Sequence, residues 1–161
     1  MTTGRDAGLA GRPDVTVQRL DELPATEAMV LTTESEEAGH GFVRRLVDEW
    51  RSGANRFDRP GEALFGAWSR SALVGVCGLN VDPYAGTDDV GRVRHLYVAL
   101  AHRRLGTGQL LVGAVIDAAQ GRFRRLRLRT SNPAAAQLYE RVGFRRIDGE
   151  ADCTHVMEMR R

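Results

Sequence analysis

A chain of 161 residues, 42% hydrophobic and 27% charged, has enough material for one compact soluble domain with a real core. No apolar run approaches the roughly 20 residues that cross a bilayer, and the opening MTTGRDAGLAGRPDV lacks the apolar stretch of a secretory signal. The net charge is only +2, carried by arginines with no lysine, which argues against nonspecific nucleic-acid binding. The expectations are a cytoplasmic location, no membrane partner and no nucleic-acid partner.

Residues 1–13 read as a flexible N-terminal tail ending at Pro13, and residues 14–161 as a single domain. VTVQRL (15–20) alternates like a strand. Residues 24–52 read as helix, broken near Gly39 and Gly41, with Phe42, Leu46, Val47 and Trp50 at helical spacing. Trp50 reads as a core anchor. Three strands follow, 62–69, 72–81 and 90–98, joined by the tight SRS turn and the longer DPYAGTDD loop. A glycine turn then opens a helix to about Ala119, with Leu111, Val115 and Ala118 on one face. FRRLRLR (123–129) is a short strand. NPAAAQLYERVGF is a helix with Asn132 at its N-cap, Pro133 at N1 and Gly143 as its stop. FRRI and THVMEM are two final strands. The order is β, helices, β, β, β, α, β, α, β, β, a mixed α/β (α+β) domain.

Cys77 and Cys153 have no metal-type spacing and read as packed or free thiols. His40, His95, His102 and His155 show no paired-ligand pattern, so no metal is expected. Residues 21–50 are acidic, whereas the later half is rich in arginine, which suggests two surfaces of opposite sign.

The most informative stretch is LYVALAHRRLGTGQLL (96–111), a strand, a glycine turn and a helix. A helix start has unpaired N–H groups and partial positive charge, and glycines let a ligand approach the backbone. Arg103 and Arg104 add charge within reach of phosphate oxygens. The turn is therefore suited to a pyrophosphate. A P-loop requires a lysine, and the chain has none. A dinucleotide fingerprint requires a third glycine, and Leu111 stands there.

The turn resembles motif A of the GNAT superfamily of N-acetyltransferases, Arg/Gln-x-x-Gly-x-Gly/Ala, through Arg103, Gly106 and Gly108, with Val98 ending the preceding strand. Downstream, Asn132, Ala135, Leu138, Tyr139, Gly143 and Phe144 match motif B in step. The similarity in element order spans roughly residues 14 to 160. It implies a central mixed sheet whose strands four and five splay apart around acetyl-CoA, with flanking helices. The backbone of Leu96, Tyr97 and Val98 would then run beside the pantetheine and acetyl group. Arg103, Arg104, Leu105, Gly106, Thr107 and Gly108 would hold the pyrophosphate, and Asn132 would face the pantetheine. Tyr139 would be the general acid for the departing thiolate, since a phenol with pKa near 10 stays protonated at neutral pH. A strand-four backbone N–H would stabilise the oxyanion. Members of the superfamily often dimerise, so a homodimer is a further implication.

The sequence departs from the pattern at the base. The positions of the family glutamates are Arg92 and Arg127, and arginine does not serve as an ordinary base. The candidates are His95, Asp88, Asp89 or a water chain. Simple alternation puts His95 with Val93 and Tyr97, opposite Arg94 and Leu96, unless a bulge intervenes. Arg127, with Arg129, reads either as a solvated face or as a substrate-binding group for a carboxylate or phosphate. The acids of 21–50 would suit a cationic amine, and an acceptor bearing both an amine and an acid would satisfy both clues. The expected activity is acetyl transfer from acetyl-CoA to a small-molecule amine by direct attack in a ternary complex. The alternatives are transfer of another acyl group and an acyl-CoA sensor.

Overall fold

The computed structural model describes residues 14–160; the tail expected at 1–13 lies outside the described residues. Seven strands form one sheet in the order β1-β2-β3-β4-β5-β7-β6. They are β1 (Thr16–Arg19), β2 (Ala63–Ser69), β3 (Ala72–Val81), β4 (Val90–Val98), β5 (Arg125–Leu128), β6 (Arg145–Arg146) and β7 (His155–Glu158). Four α-helices flank it: α1 (Ala25–Glu37), α2 (Phe42–Ser52), α3 (Thr107–Ala119) and α4 (Pro133–Arg141), with a 3-10 turn at Leu100–His102. The sheet is antiparallel except where β4 runs parallel to β5.

The ends of the elements follow local chemistry. Arg70 takes φ 57 at the tip of the β2–β3 hairpin. Gly53 closes α2 in the left-handed region. Asn132 caps α4 by accepting from the N–H groups of Ala134 and Ala135, with Pro133 at the first turn. Gly143, at φ 117, follows the last turn.

Apolar residues sort onto the two faces of the sheet. Under α3 and α4, Leu79, Val93, Leu111, Val112, Val115, Leu126, Leu128 and Phe144 form one core. Under α1 and α2, Leu31, Val43, Leu46, Trp50, Phe57, Leu64 and Val76 form the other. Trp50 is a core anchor, stacked on Phe57. Phe42, grouped by spacing with the buried face of α2, is only partly buried and packs against this core; Val43 is buried in its place.

Candidate active site

β4 and β5 pair over three residues only: Val90 with Arg125, Gly91 with Leu126, and Arg92 with Arg127. Beyond this rung β4 runs on to Val98, held by β3 alone, whereas β5 stops at Leu128 and its chain leaves for α4. The result is a fork with an open edge along Val93–Val98, which includes Leu96, Tyr97 and Val98.

The 103–108 turn lies at the end of that open edge. Arg104 and Gly106 both adopt left-handed backbone, φ 64 and φ 90. Among the described residues, no backbone N–H from Arg104 to Gln109 reaches an acceptor, and the first N–H to do so is that of Leu110, onto the Gly106 carbonyl. The Thr107 hydroxyl is buried and also without a partner. These donors, at the start of the 13-residue helix α3, suit the pyrophosphate of a coenzyme A thioester. Arg104 and Leu105 are exposed. Arg103 folds back: its Nε donates to the Val98 carbonyl at 2.7 Å, and its guanidinium lies 5.2 Å from the centre of the Tyr97 ring. A Cβ on Gly108 would sit 3.0 Å from Leu138 and 3.8 Å from Val98, so this glycine keeps α3 close to α4 where the fork opens.

Two motif B residues have structural duties as well. The Asn132 side-chain oxygen is committed to the α4 cap, which leaves its amide N–H groups for a ligand. Tyr139 is buried, edge-on to Phe144 at 5.6 Å, and its hydroxyl makes no hydrogen bond among the described residues. Burial, with the Cys77 thiol nearby, pushes the phenol pKa up.

Alternation places His95 only in part: it shares a face with Tyr97, opposite Leu96, as expected, but it is parted from Val93 and lies with Arg94. The β3–β4 register shifts between Val76 and Gly78, which pair with Tyr97 and Arg94, so His95 and Leu96 together oppose Cys77. His95 takes φ 60 in this bulge. Its ring meets Phe57, in the α1–α2 core, while Val93 stays on the α3 side. Among the described residues both ring nitrogens are buried without a hydrogen-bond partner. Burial, helped by Arg94 and Arg45, pushes its pKa down to about 3, so the ring is neutral at pH 7 and only weakly basic. Asp88 and Asp89 precede β4, at the closed end of the fork. Asp89 is held by Arg124 at 2.9 Å and by the Thr87 hydroxyl at 2.8 Å. Neither aspartate is placed to serve the open edge.

Arg127 is buried rather than part of a solvated face, and Arg92 stands beside it. Both approach Asp82 Oδ2, at 3.4 and 3.7 Å, and Arg127 also donates to the Ala151 carbonyl at 3.0 Å. Arg129 is exposed and pairs with Asp152 at 3.5 Å.

One site residue had no distinguishing mark in the sequence. Glu34, one of eight acids in the 21–50 segment, accepts from the Tyr97 hydroxyl and, at 3.1 Å, from the Leu100 N–H. It ties α1 to the end of β4 just before the glycine turn. Among the described residues no cluster of His, Cys, Asp and Glu could hold a metal, and no helix is long and apolar enough to cross a membrane.

The sequence profile of the acetyltransferase (GNAT) family matches residues 24–144. The chain therefore belongs to the GNAT acetyltransferases. Its fold is shared with a candidate acetyltransferase from Exiguobacterium sp. 255-15, at 27% identity and TM-score 0.79, over 90% of this chain and 93% of that one. A GCN5-related N-acetyltransferase from Kribbella flavida aligns at 19% identity and TM-score 0.67, over 89% and 96%. A candidate acetyltransferase from Salmonella typhimurium, solved with its cofactor acetyl-CoA, aligns at 13% and TM-score 0.64, over 91% and 95%. No curated protein matches the sequence.

Proposed function

We propose that the protein acetylates the amine of a small molecule, using acetyl-CoA, by direct attack in a ternary complex. The observation that carries this reading is the fork. β4 and β5 part beyond Arg92 and Arg127, and the open edge leads to a turn whose six N–H groups have no acceptor among the described residues. A thioester with a pyrophosphate at one end fits that pair of features. Acetyl-CoA would supply the activated acyl group.

The roles of the chain's own residues follow. The turn would bind and orient the pyrophosphate. The open edge at Leu96–Val98 would align the thioester, and a β4 N–H would stabilise the oxyanion. Tyr139 would give its proton to the departing thiolate, and the proton that the attacking nitrogen loses would return to the phenolate through water; the raised pKa keeps the phenol protonated between turnovers. Helices α1 and α2 cover the other face of the sheet, where the acceptor would enter. Direct attack suits the cysteines. Cys77 is buried, its thiol pushed up to about 12 by desolvation, and Cys153 is buried with its Sγ donating to the His155 carbonyl. Cys77 is therefore not set up as a thiolate nucleophile.

The test is free-thiol release from acetyl-CoA across a broad panel of amines, with product mass. Acetylated amine is expected. Binding of acetyl-CoA with no turnover on any amine would favour a sensor, and faster transfer from a longer acyl-CoA would change the donor.

A further inference from the structure

We propose that Arg92, Arg94 and Arg127 form an anion subsite for the acceptor, whose amine is carried on a molecule that also bears a carboxylate or phosphate. This rests on the acetyl-transfer reading above and names its substrate class.

The charge count at the fork is unbalanced. Arg92 and Arg127 face each other on the last rung before β4 and β5 part. Their side chains are only 10% and 8% exposed, and among the described residues Asp82 is the one carboxylate within 4 Å of either. Both guanidiniums reach the same oxygen, Oδ2, and Oδ1 already accepts the Tyr84 N–H at 2.8 Å. Within 4 Å, therefore, two buried cations share one buried carboxylate. Arg127 Nε is buried with no acceptor among the described residues, and Arg92 Nη1 and Asp82 Oδ2, 3.7 Å apart, are too far separated for a hydrogen bond. An unpaired buried charge is costly, and an incoming oxyanion offsets that cost.

The third arginine extends the site towards the open edge. A Cβ on Gly91 would meet Leu126 and Phe123 in the α3 core, so the neighbouring Arg92 lies on the α1–α2 face. Arg94, two residues on, shares that face. Its side chain's one hydrogen bond among the described residues, from Nη1 to Asn80 Oδ1, is 3.5 Å long, and no carboxylate lies within 4 Å of it there. Planar guanidiniums match the paired oxygens of a carboxylate or phosphate. Among the described residues none of the early acids lies within 4 Å of these arginines: Glu36 pairs with Arg44 on the surface, and Glu34 is turned to Tyr97. A purely cationic acceptor would meet like charge at the fork.

The experiment uses matched probes on the full chain: L-amino acids against their amides, and O-phosphoethanolamine against ethanolamine. Thiol release gives kcat/KM for each. At least one acid-bearing member is expected to exceed its neutral partner tenfold or more, and the two arms separate carboxylate from phosphate. Arg94→Gln and Arg127→Gln should shrink the preference to within about threefold, through KM for the acceptor, with KM for acetyl-CoA unchanged. Arg94 is only half-buried, so its variant remains informative if Arg127→Gln fails to fold. Neutral partners matching the acids throughout, or an undiminished preference in Arg94→Gln, would overturn the subsite. The same probes are added to the CoA-saturated protein and its melting temperature followed, so the answer does not depend on turnover. A rise with acid members alone supports the subsite; a rise with neutral members, or with none, overturns it. Loss of the acetyl-transfer reading would show differently, as no stabilisation by acetyl-CoA itself.

Discussion

The two faces of β4 do different work. Towards α3, Val93 and Leu96 pack against Leu111, Val112, Val115 and Leu126, a dry face that holds the domain together. Towards α1 and α2, the same strand shows Arg92, Arg94, His95 and Tyr97, with buried polar atoms that lack partners. The lesson is that the two faces of one strand differ in polarity, apolar towards α3 and rich in arginine towards α1 and α2, and the bulge at His95–Leu96 moves side chains between them.

The separation can be broken from either side. The largest expected effect is on the dry face. Leu126→Ala, fully buried against α3, should cost about 2–5 kcal/mol in denaturant unfolding. Next is Tyr139→Phe, which should lower kcat by about 100-fold or more while calorimetry finds acetyl-CoA affinity nearly unchanged. Unaltered kcat with chemistry rate-limiting would remove the phenol from the mechanism.

His95 gives a smaller, pH-dependent effect. Its folded pKa, about 3, lies below the unfolded value near 6.5, so the unfolded chain binds the extra proton first. The linked stability is complete above about pH 6.5 and falls by about 1.4 kcal/mol per unit as pH drops towards 3. His95→Gln should flatten that slope in unfolding measured from pH 7 to pH 5. An unchanged slope would mean the ring is hydrated. Smallest is Glu34→Gln, which weakens the tie between α1 and the end of β4. A rise of a few-fold, up to about tenfold, in KM for acetyl-CoA is expected, with kcat less affected. Glu34→Asp should not restore it, because the shorter side chain cannot reach both Tyr97 and Leu100.

Much of this was legible in the sequence, for local reasons. The Arg-x-x-Gly-x-Gly turn, the Asn132 cap and the Gly143 stop are each set by residues within a few positions, and the structure has them as expected. The order of strands and helices followed from periodicity in the same way. What escaped depends on distance along the chain. Glu34 meets Tyr97 across 63 positions, and nothing nearby distinguishes it from the other acids. Arg92 and Arg127 become neighbours only once β4 and β5 are parallel, and Asp82 joins them from the end of β3. The parting of His95 from Val93 turned on a bulge that alternation cannot foresee.

The most direct measurement is thermal unfolding with and without 1 mM acetyl-CoA, beside NADP and ATP. A ligand at about 100 times its dissociation constant stabilises by about 2.7 kcal/mol, a rise of roughly 5–10 °C for a domain of this size. The fork and its turn predict that rise with acetyl-CoA alone. A rise only with NADP or ATP, or none with acetyl-CoA, would contradict the assignment of the fork as a thioester site.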